Sequence, residues 1–157
     1  MRAGDTALEI GAAPGGAAYA LFRRGVNVIA VDPAAMAPAL LASAGPSGAR
    51  VTHLSIPVGE LRREQLPRRV DWLLFDVHLA PQVALRAARR VGSWIRPTLA
   101  GAVLTIKLND WRFADQIDGF LAQARELGLV DPRAKQLRSH RQELAIVGCT
   151  ERGIARV

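Results

Sequence analysis

Apolar runs of strand length alternate with stretches of helical character along the whole chain. "TALEIG" (6–11) is apolar and stopped by glycine, and "GGAAYALFRRG" (15–25) reads as a helix ending on Gly25. "VNVIAVD" (26–32) is rich in β-branched residues and closes on an acid. "AAMAPALLASAG" (34–45) is alanine-rich and helix-like, with Pro38 interrupting it. "ARVTHLSI" (49–56) and "DWLLFDV" (71–77) are further strands, the second with an acid near its end. "PQVALRAARRVGSWI" (81–95) is a helix opened by proline, and "GAVLTIKL" (101–108) a fifth strand. "WRFADQIDGFLAQARELG" (111–128) is an amphipathic helix stopped by Gly128. "AKQLRSH" (134–140) and "QELAIVGC" (142–149) form a final strand pair with no helix between them.

Alternating β and α with nearly continuous apolar strands predicts an α/β fold: a mostly parallel sheet, covered on both faces. The final pair adds an antiparallel hairpin at one edge. In such sheets ligands bind outside the carboxyl ends of the strands, near the point where strand order reverses. Gly11, Asp32, Asp76 and Lys107 sit at those ends.

Composition narrows the class. At 157 residues and 50% hydrophobic, the chain is expected to form one domain with a real core. The single cysteine, Cys149, forms no intrachain disulfide, which fits a reducing compartment. No signal-like start and no uncharged run near the roughly 20 residues of a membrane span is present, so a cytoplasmic protein without a membrane partner is expected. The formal net charge is +7, and Lys107 and Lys135 are the only lysines among 21 cations. Arginine binds phosphate through two parallel hydrogen bonds and stacks on bases, so an acidic partner is expected, nucleic acid first. Biased codon usage in a GC-rich genome explains the same arginines.

"EIGAAPGGAAYAL" joins the first strand to the first helix. Gly11, Gly15 and Gly16 permit a tight turn and close backbone approach by a ligand, and the helix start offers free N–H groups. The spacing G-x-x-x-G-G, with Pro14 inside, is not the dinucleotide fingerprint, which argues against a nicotinamide dehydrogenase. Asp32 closes the second strand, where an acid can accept hydrogen bonds from ribose hydroxyls. Loop and acid together indicate an adenosine-type cofactor; an ordinary turn with Asp32 capping the next segment is the plain alternative.

"ALEIGAAPGG" resembles the first motif of the FtsJ-like S-adenosylmethionine-dependent ribose 2′-O-methyltransferases, whose pattern is D-L-G-A-x-P-G-G, with Glu9 in the place of the family's Asp. The order "VDPAAMAP", "LLFDVHLAP", "TIKLND", "SHRQELAIVG" is similar to that of members acting on a cytidine of large-subunit ribosomal RNA. The resemblance covers nearly the whole chain. It implies a Rossmann-like class I methyltransferase with a seven-stranded sheet. It implies S-adenosyl-L-methionine held by Gly11, Ala12, Ala13, Pro14, Gly15, Gly16, Asp32 and Asp76, and RNA, here ribosomal RNA, as substrate. The family shares a K-D-K-E tetrad: Asp76 matches its Asp, Lys107 its second Lys and Glu143 its Glu.

Two positions depart from that pattern. The family's first Lys lies upstream of the glycine loop, where this chain has Met1 to Leu8 with Arg2 as the only cation. Residues 1–157 are therefore expected to be a single methyltransferase core domain, without an N-terminal RNA-binding region or upstream helix, and of weak turnover or none. After the third strand, "HLSIPVGE" has Ser55, Ile56 and Pro57 where the family has an acid touching adenine. Ser55 is the candidate to bind the adenine edge.

Methyl transfer to a hydroxyl needs in-line placement, removal of a proton and exclusion of water. Lys107 is the candidate base, oriented by Asp76 and Glu143, which also raise its pKa. Each alone has a plain reading: a solvated strand end, a loop cap, an edge-strand surface. His78 and Asn109 neighbour the site as substrate-contacting or supporting residues. His53, His140 and Cys149 lack metal-ligand spacing, so no metal is expected. Arginines cluster at 62, 63, 68 and 69, at 86, 89 and 90, and, with Lys135, at 133, 138 and 141. The last cluster abuts Glu143 and suits phosphates; the middle one reads as a solvated helix face. Trp111 suits base stacking, with helix packing the plainer reading. A cofactor- or RNA-binding module without turnover is the second hypothesis.

Overall fold

A computed structural model describes residues 1–108, 111–136 and 142–156. Seven strands form one sheet: β1 (Thr6–Ile10), β2 (Asn27–Val31), β3 (Val51–Leu54), β4 (Trp72–Phe75), β5 (Gly101–Lys107), β6 (Leu129–Lys135) and β7 (Glu143–Thr150), in the order β3-β2-β1-β4-β5-β7-β6. The first five strands pair in parallel. β7 inserts antiparallel between β5 and β6. Strand order reverses between β1 and β4, which places the switch point at the glycine loop.

Strand alternation divides the core. Leu8, Ile10, Ile29, Val31, Leu73 and Phe75 face the layer containing α3 (Pro81–Ile95) and α4 (Ile117–Arg125). Ala7, Val28 and Ala30 face the layer of α1 (Gly16–Phe22), with Ala18 and Phe22, and α2 (Pro38–Ala42), with Leu40. The small residues on that second face let the glycine loop and α1 lie close to the sheet.

Several boundaries differ from the sequence pattern for physical reasons. Pro38 does not interrupt a helix; it opens one, at the first helical position where its missing N–H costs nothing. The helix expected over 111–128 begins as a 3₁₀ turn, Trp111–Gln116, and is α-helical only over Ile117–Arg125. The edge strand spans Leu129–Lys135 rather than 134–140. Pro132 hides it in the sequence, because proline removes a ladder donor. The structure accommodates Pro132 on an edge strand, with a register shift between Val130 and Arg133 and Asp131 at φ 45. Residues 137–140 of the expected strand lie outside the described residues. A short helix, α5 (Glu151–Ile154), follows β7, capped by the Thr150 hydroxyl, which accepts from the Gly153 N–H.

The opposite end of the sheet is closed by charge. Asp5 and Asp71 are 2% and 0% exposed. Arg156, just past α5, pairs with Asp5 and, at 3.1 Å, with Asp71. Trp72 Nε1 donates to Asp5 at 2.8 Å, the Thr6 N–H to Asp71 at 3.0 Å, and Arg69 to Asp71 at 2.9 Å. Two buried carboxylates are thus fully partnered, as buried charge requires.

Candidate active site

The glycine loop is shaped by close approach. Gly11 has φ +81, and a Cβ there would lie 1.8 Å from the Asp76 carbonyl oxygen. Only glycine lets β1 end this near the end of β4. Gly15 caps α1 at φ +116 and packs on Met36 and Leu40. A Cβ on Gly16, the first residue of α1, would meet nothing within 4 Å. Open space lies over the helix start, where N–H groups are unpaired.

Asp32 ties this loop to β2. One carboxylate oxygen accepts from the Ala13 N–H at 3.1 Å, the other from the Ala34 N–H at 2.8 Å. These bonds give Asp32 the plain capping role and leave each carboxylate oxygen a second lone pair. Pro14, which has no N–H to give, accepts at its carbonyl from the Ala37 N–H. Ala12 is buried beneath the loop.

A cleft of about 400 Å³ opens here, lined by Gly11, Ala13, Asp32, Pro33, Asp76 and His78, with Pro57, Val58 and Leu79 as apolar walls. That is a size suited to a small-molecule ligand. The Ser55 hydroxyl turns to the Pro33 carbonyl at 3.5 Å, and the wall beyond β3 is Pro57 and Val58. His78 lines the cleft as expected of a neighbour of the site.

At the cleft's rim, strand register brings the charged groups together. Lys107 ends β5 and pairs in register with Glu143, the first residue of β7. Asp76 follows the last residue of β4, the strand on the other side of β5. Lys107 Nζ stands 2.9 Å from Asp76 Oδ1 and 2.5 Å from Glu143 Oε1. Lys107 is 7% exposed. Burial works against its charged form, but hydrogen bonds and charge from Glu143 and Asp76 outweigh it, so its pKa lies above the ordinary lysine value. In the free protein it is an ammonium.

Glu9, which stands in the sequence at the place of a family acid, is a site feature whose burial the pattern alone does not mark. It is 5% exposed, and its Oε2 is buried with no hydrogen-bond partner. Burial, with the negative charges of Asp76 and Asp32 adding, pushes its carboxyl up to about 7. Its signal in the sequence is a lone charge in an otherwise apolar strand. A cleft lined by the carboxylates of Asp32 and Asp76, with the buried Glu9 carboxyl close enough to feel both charges, suits a ligand that carries positive charge. The methionyl end of S-adenosylmethionine has that chemistry.

Arg133 lies on β6, paired with Asp131 at 3.3 Å, and Lys135 is exposed on the same strand. Arg138, Arg141 and Asn109 lie outside the described residues. Trp111 begins the 3₁₀ turn, and its side chain is outside what the structure describes. Arg63 donates to the carbonyls of Leu66 and Pro67, and Arg69 is held by Asp71, so those two arginines have local partners.

The sheet order, the antiparallel seventh strand and the glycine loop at the switch point define a Rossmann-like methyltransferase fold. Solved structures share it. A 1,6-didemethyltoxoflavin-N1-methyltransferase of Burkholderia thailandensis, with S-adenosylhomocysteine bound, superposes at TM-score 0.65 and 19% identity over 95% of this chain and 72% of that one. A magnesium protoporphyrin IX methyltransferase of Synechocystis superposes at 0.61 and 14% identity over 95% and 75%.

In sequence the chain is similar to proteins named ribosomal RNA large subunit methyltransferase M. Identity is 34% with that of Halorhodospira halophila, over 91% of this chain and 39% of the relative. It is 36% with that of Methylococcus capsulatus, over 90% and 36%. The chain thus spans about two-fifths of the length of these relatives. No protein-family model matches it.

Proposed function

We propose that this chain is an S-adenosylmethionine-dependent methyltransferase whose substrate is a ribose 2′-hydroxyl of large-subunit ribosomal RNA. The observation that carries the reading is the Asp76–Lys107–Glu143 cluster at the rim of the glycine-loop cleft. Residues 1–157 are read as one methyltransferase core domain, working in the cytoplasm where ribosomal RNA is made.

In this reading Gly11, Ala12, Ala13, Pro14, Gly15 and Gly16 form the cradle for the cofactor. Asp32 offers its remaining lone pairs to ribose hydroxyls, and Asp76 lines the cleft between cofactor and lysine. Pro57 and Val58 offer the adenine an apolar wall, with Ser55 and nearby backbone as candidates for its polar edge. The bound cofactor supplies an electrophilic methyl group on a cationic sulfur. Lys107, fixed by two carboxylates at the rim of the cleft, is the group that accepts the proton of the ribose hydroxyl. As the 2′-oxygen takes the methyl group, its proton passes to Nζ, which must have shed one of its own first. A neighbouring positive charge favours that loss, and the pairing with Asp76 and Glu143 opposes it.

That opposition supports a second reading: a cofactor-binding module in which Lys107 stays an ammonium and turnover is lost. One experiment separates the two. The protein is incubated with methyl-labelled cofactor and large-subunit ribosomal RNA transcribed without modification, and label in nuclease-resistant dinucleotides reports 2′-O-methylation. Incorporation that vanishes in Lys107→Ala supports the enzyme. Calorimetric cofactor binding without incorporation supports the module. Equal incorporation by both proteins refutes the role of Lys107.

A further inference from the structure

α3 carries an arginine face that the candidate active site does not use. Arg86, Arg89, Ser93 and Arg96 are spaced at three, four and three residues, so they share one side of the helix. The floor between α3 and the end of α4 is low because of Gly92: a Cβ there would lie 2.3 Å from Leu127 Cδ2. The result is a groove of about 400 Å³, with Glu126 as its only acid, paired to Arg89.

A second hollow of about 340 Å³ shares Arg96 and Leu127 with the first and adds Thr150, Glu151 and Arg152. Arg90 is not available to a ligand: it donates to the Val58 and Leu61 carbonyls and lies 4.9 Å over the Trp94 ring. Arg86, Arg96 and Arg152 are exposed, and none makes an ion pair among the described residues.

The groove runs away from the candidate active site. Lys107 and Glu143 pair at one end of the β5–β7 ladder, and Gly101 and Cys149 at the other, next to Thr150 of the second hollow. At about 3.3 Å per residue the two ends are roughly 20 Å apart. Neither hollow touches the cleft of Gly11 and Asp32.

Resting on the RNA reading above, we propose that this groove holds the ribose–phosphate backbone of an RNA segment outside the reacting nucleotide. Planar guanidinium groups on a narrow track match phosphate oxygens. Such contacts position an RNA without reading its bases. The groove therefore acts as a register for structured RNA, fixing how the substrate lies relative to Lys107.

The test compares wild type with Arg86→Glu/Arg96→Glu and, separately, Arg86→Gln/Arg96→Gln. Both residues are exposed and make no ion pair among the described residues, so thermal melting is expected to match wild type. The readout is binding to fluorescently labelled large-subunit ribosomal RNA transcript across a salt series. Loss of two phosphate contacts is expected to weaken binding about tenfold or more in the charge-reversed protein and to lower the salt slope by roughly 2. The glutamine variant should lie between. Unchanged affinity and slope, with wild type binding RNA, overturn the groove and leave the proposed function standing. Failure of wild type to bind RNA overturns both. Competition by polyglutamate as effective as by RNA reassigns the groove to acidic protein and overturns the proposal.

Discussion

Lys107 and Glu143 face each other across the antiparallel register of β5 and β7, with Nζ 2.5 Å from Oε1 and, on the other side, 2.9 Å from Asp76 Oδ1. The lysine is nearly inaccessible, whereas the Asp76 and Glu143 side chains are 56% and 28% exposed. Lys107→Ala therefore leaves behind carboxylates that water can reach. Its cost to stability should be about 1 kcal/mol, well below that of breaking a fully buried pair. Methyl transfer should fall by about 10² to 10⁴, the typical contribution of a positioned proton acceptor. Chemical denaturation and single-turnover transfer, measured together, separate the two effects. A collapse of stability alongside activity would make Lys107 a structural residue instead.

Much of this site is legible in the sequence because strands end where chemistry begins. The glycine loop, Asp32, Asp76 and Lys107 each close an apolar run, and a parallel sheet gathers such ends on one edge. Glu143 joins them only because β7 runs antiparallel, so its first residue meets the last of β5. The pattern does not show that Glu9, inside β1, is buried with an unpartnered oxygen, since partnering depends on which side chains the packed fold brings near. Nor does it show that Pro57 and Val58 line the cleft, because their placement follows from a loop without periodicity. Pro132 hides the edge strand, and the bulge that accommodates it is a tertiary feature.

Gly11 and Gly16 make a paired test of the loop. Gly11→Ala combines a left-handed backbone with a contact of 1.8 Å to the Asp76 carbonyl, so the β1 and β4 ends must separate. A loss of about 3 kcal/mol is expected, with cofactor binding abolished. Gly16→Ala meets no protein atom within 4 Å and sits in a helix, so stability should be unchanged or slightly raised. If the open space over α1 is cofactor space, its affinity should nevertheless drop about tenfold. Melting curves and calorimetric titration check both, and full affinity in Gly16→Ala would move the cofactor elsewhere.

Arg156 holds the far end of the sheet. Its removal leaves Asp5 and Asp71, both buried, with Arg69 as the remaining cation. Arg156→Ala should cost about 3 kcal/mol, since an uncompensated buried carboxylate is expensive. Burial opposes the charged form of Asp5, but hydrogen bonds from Trp72, Arg2 and Arg156 prevail and lower its pKa. Its contribution is therefore present above the unfolded carboxylate value and lost as pH falls through the lower folded one. Acid unfolding of Arg156→Ala should begin at a higher pH than in wild type. Coincident acid midpoints would show that the clasp is not what acid breaks.

Glu9 makes the opposite prediction at the other end of β1. Its carboxyl is raised to about 7 from an ordinary 4.5, by burial first and then by Asp76 and Asp32. Between those two values the folded chain binds the proton that the unfolded chain has released. Stability from this group is thus complete below about 4.5 and declines as pH rises toward 7. Above 7 the buried anion costs about 3 kcal/mol. Glu9→Gln keeps the shape and removes the titration, so the variant should be more stable than wild type at pH 8 and nearly equal at pH 4.5. Urea unfolding at both values gives the comparison. A cationic cofactor beside Glu9 would favour the carboxylate, so binding at pH 6.5 should release a fraction of a proton, visible as a dependence of calorimetric heat on the buffer. In Glu9→Gln that dependence should disappear and affinity should fall. Stability that does not differ from wild type at pH 8 would mean that Oε2 has found a partner, and the link between proton and cofactor would be lost with it.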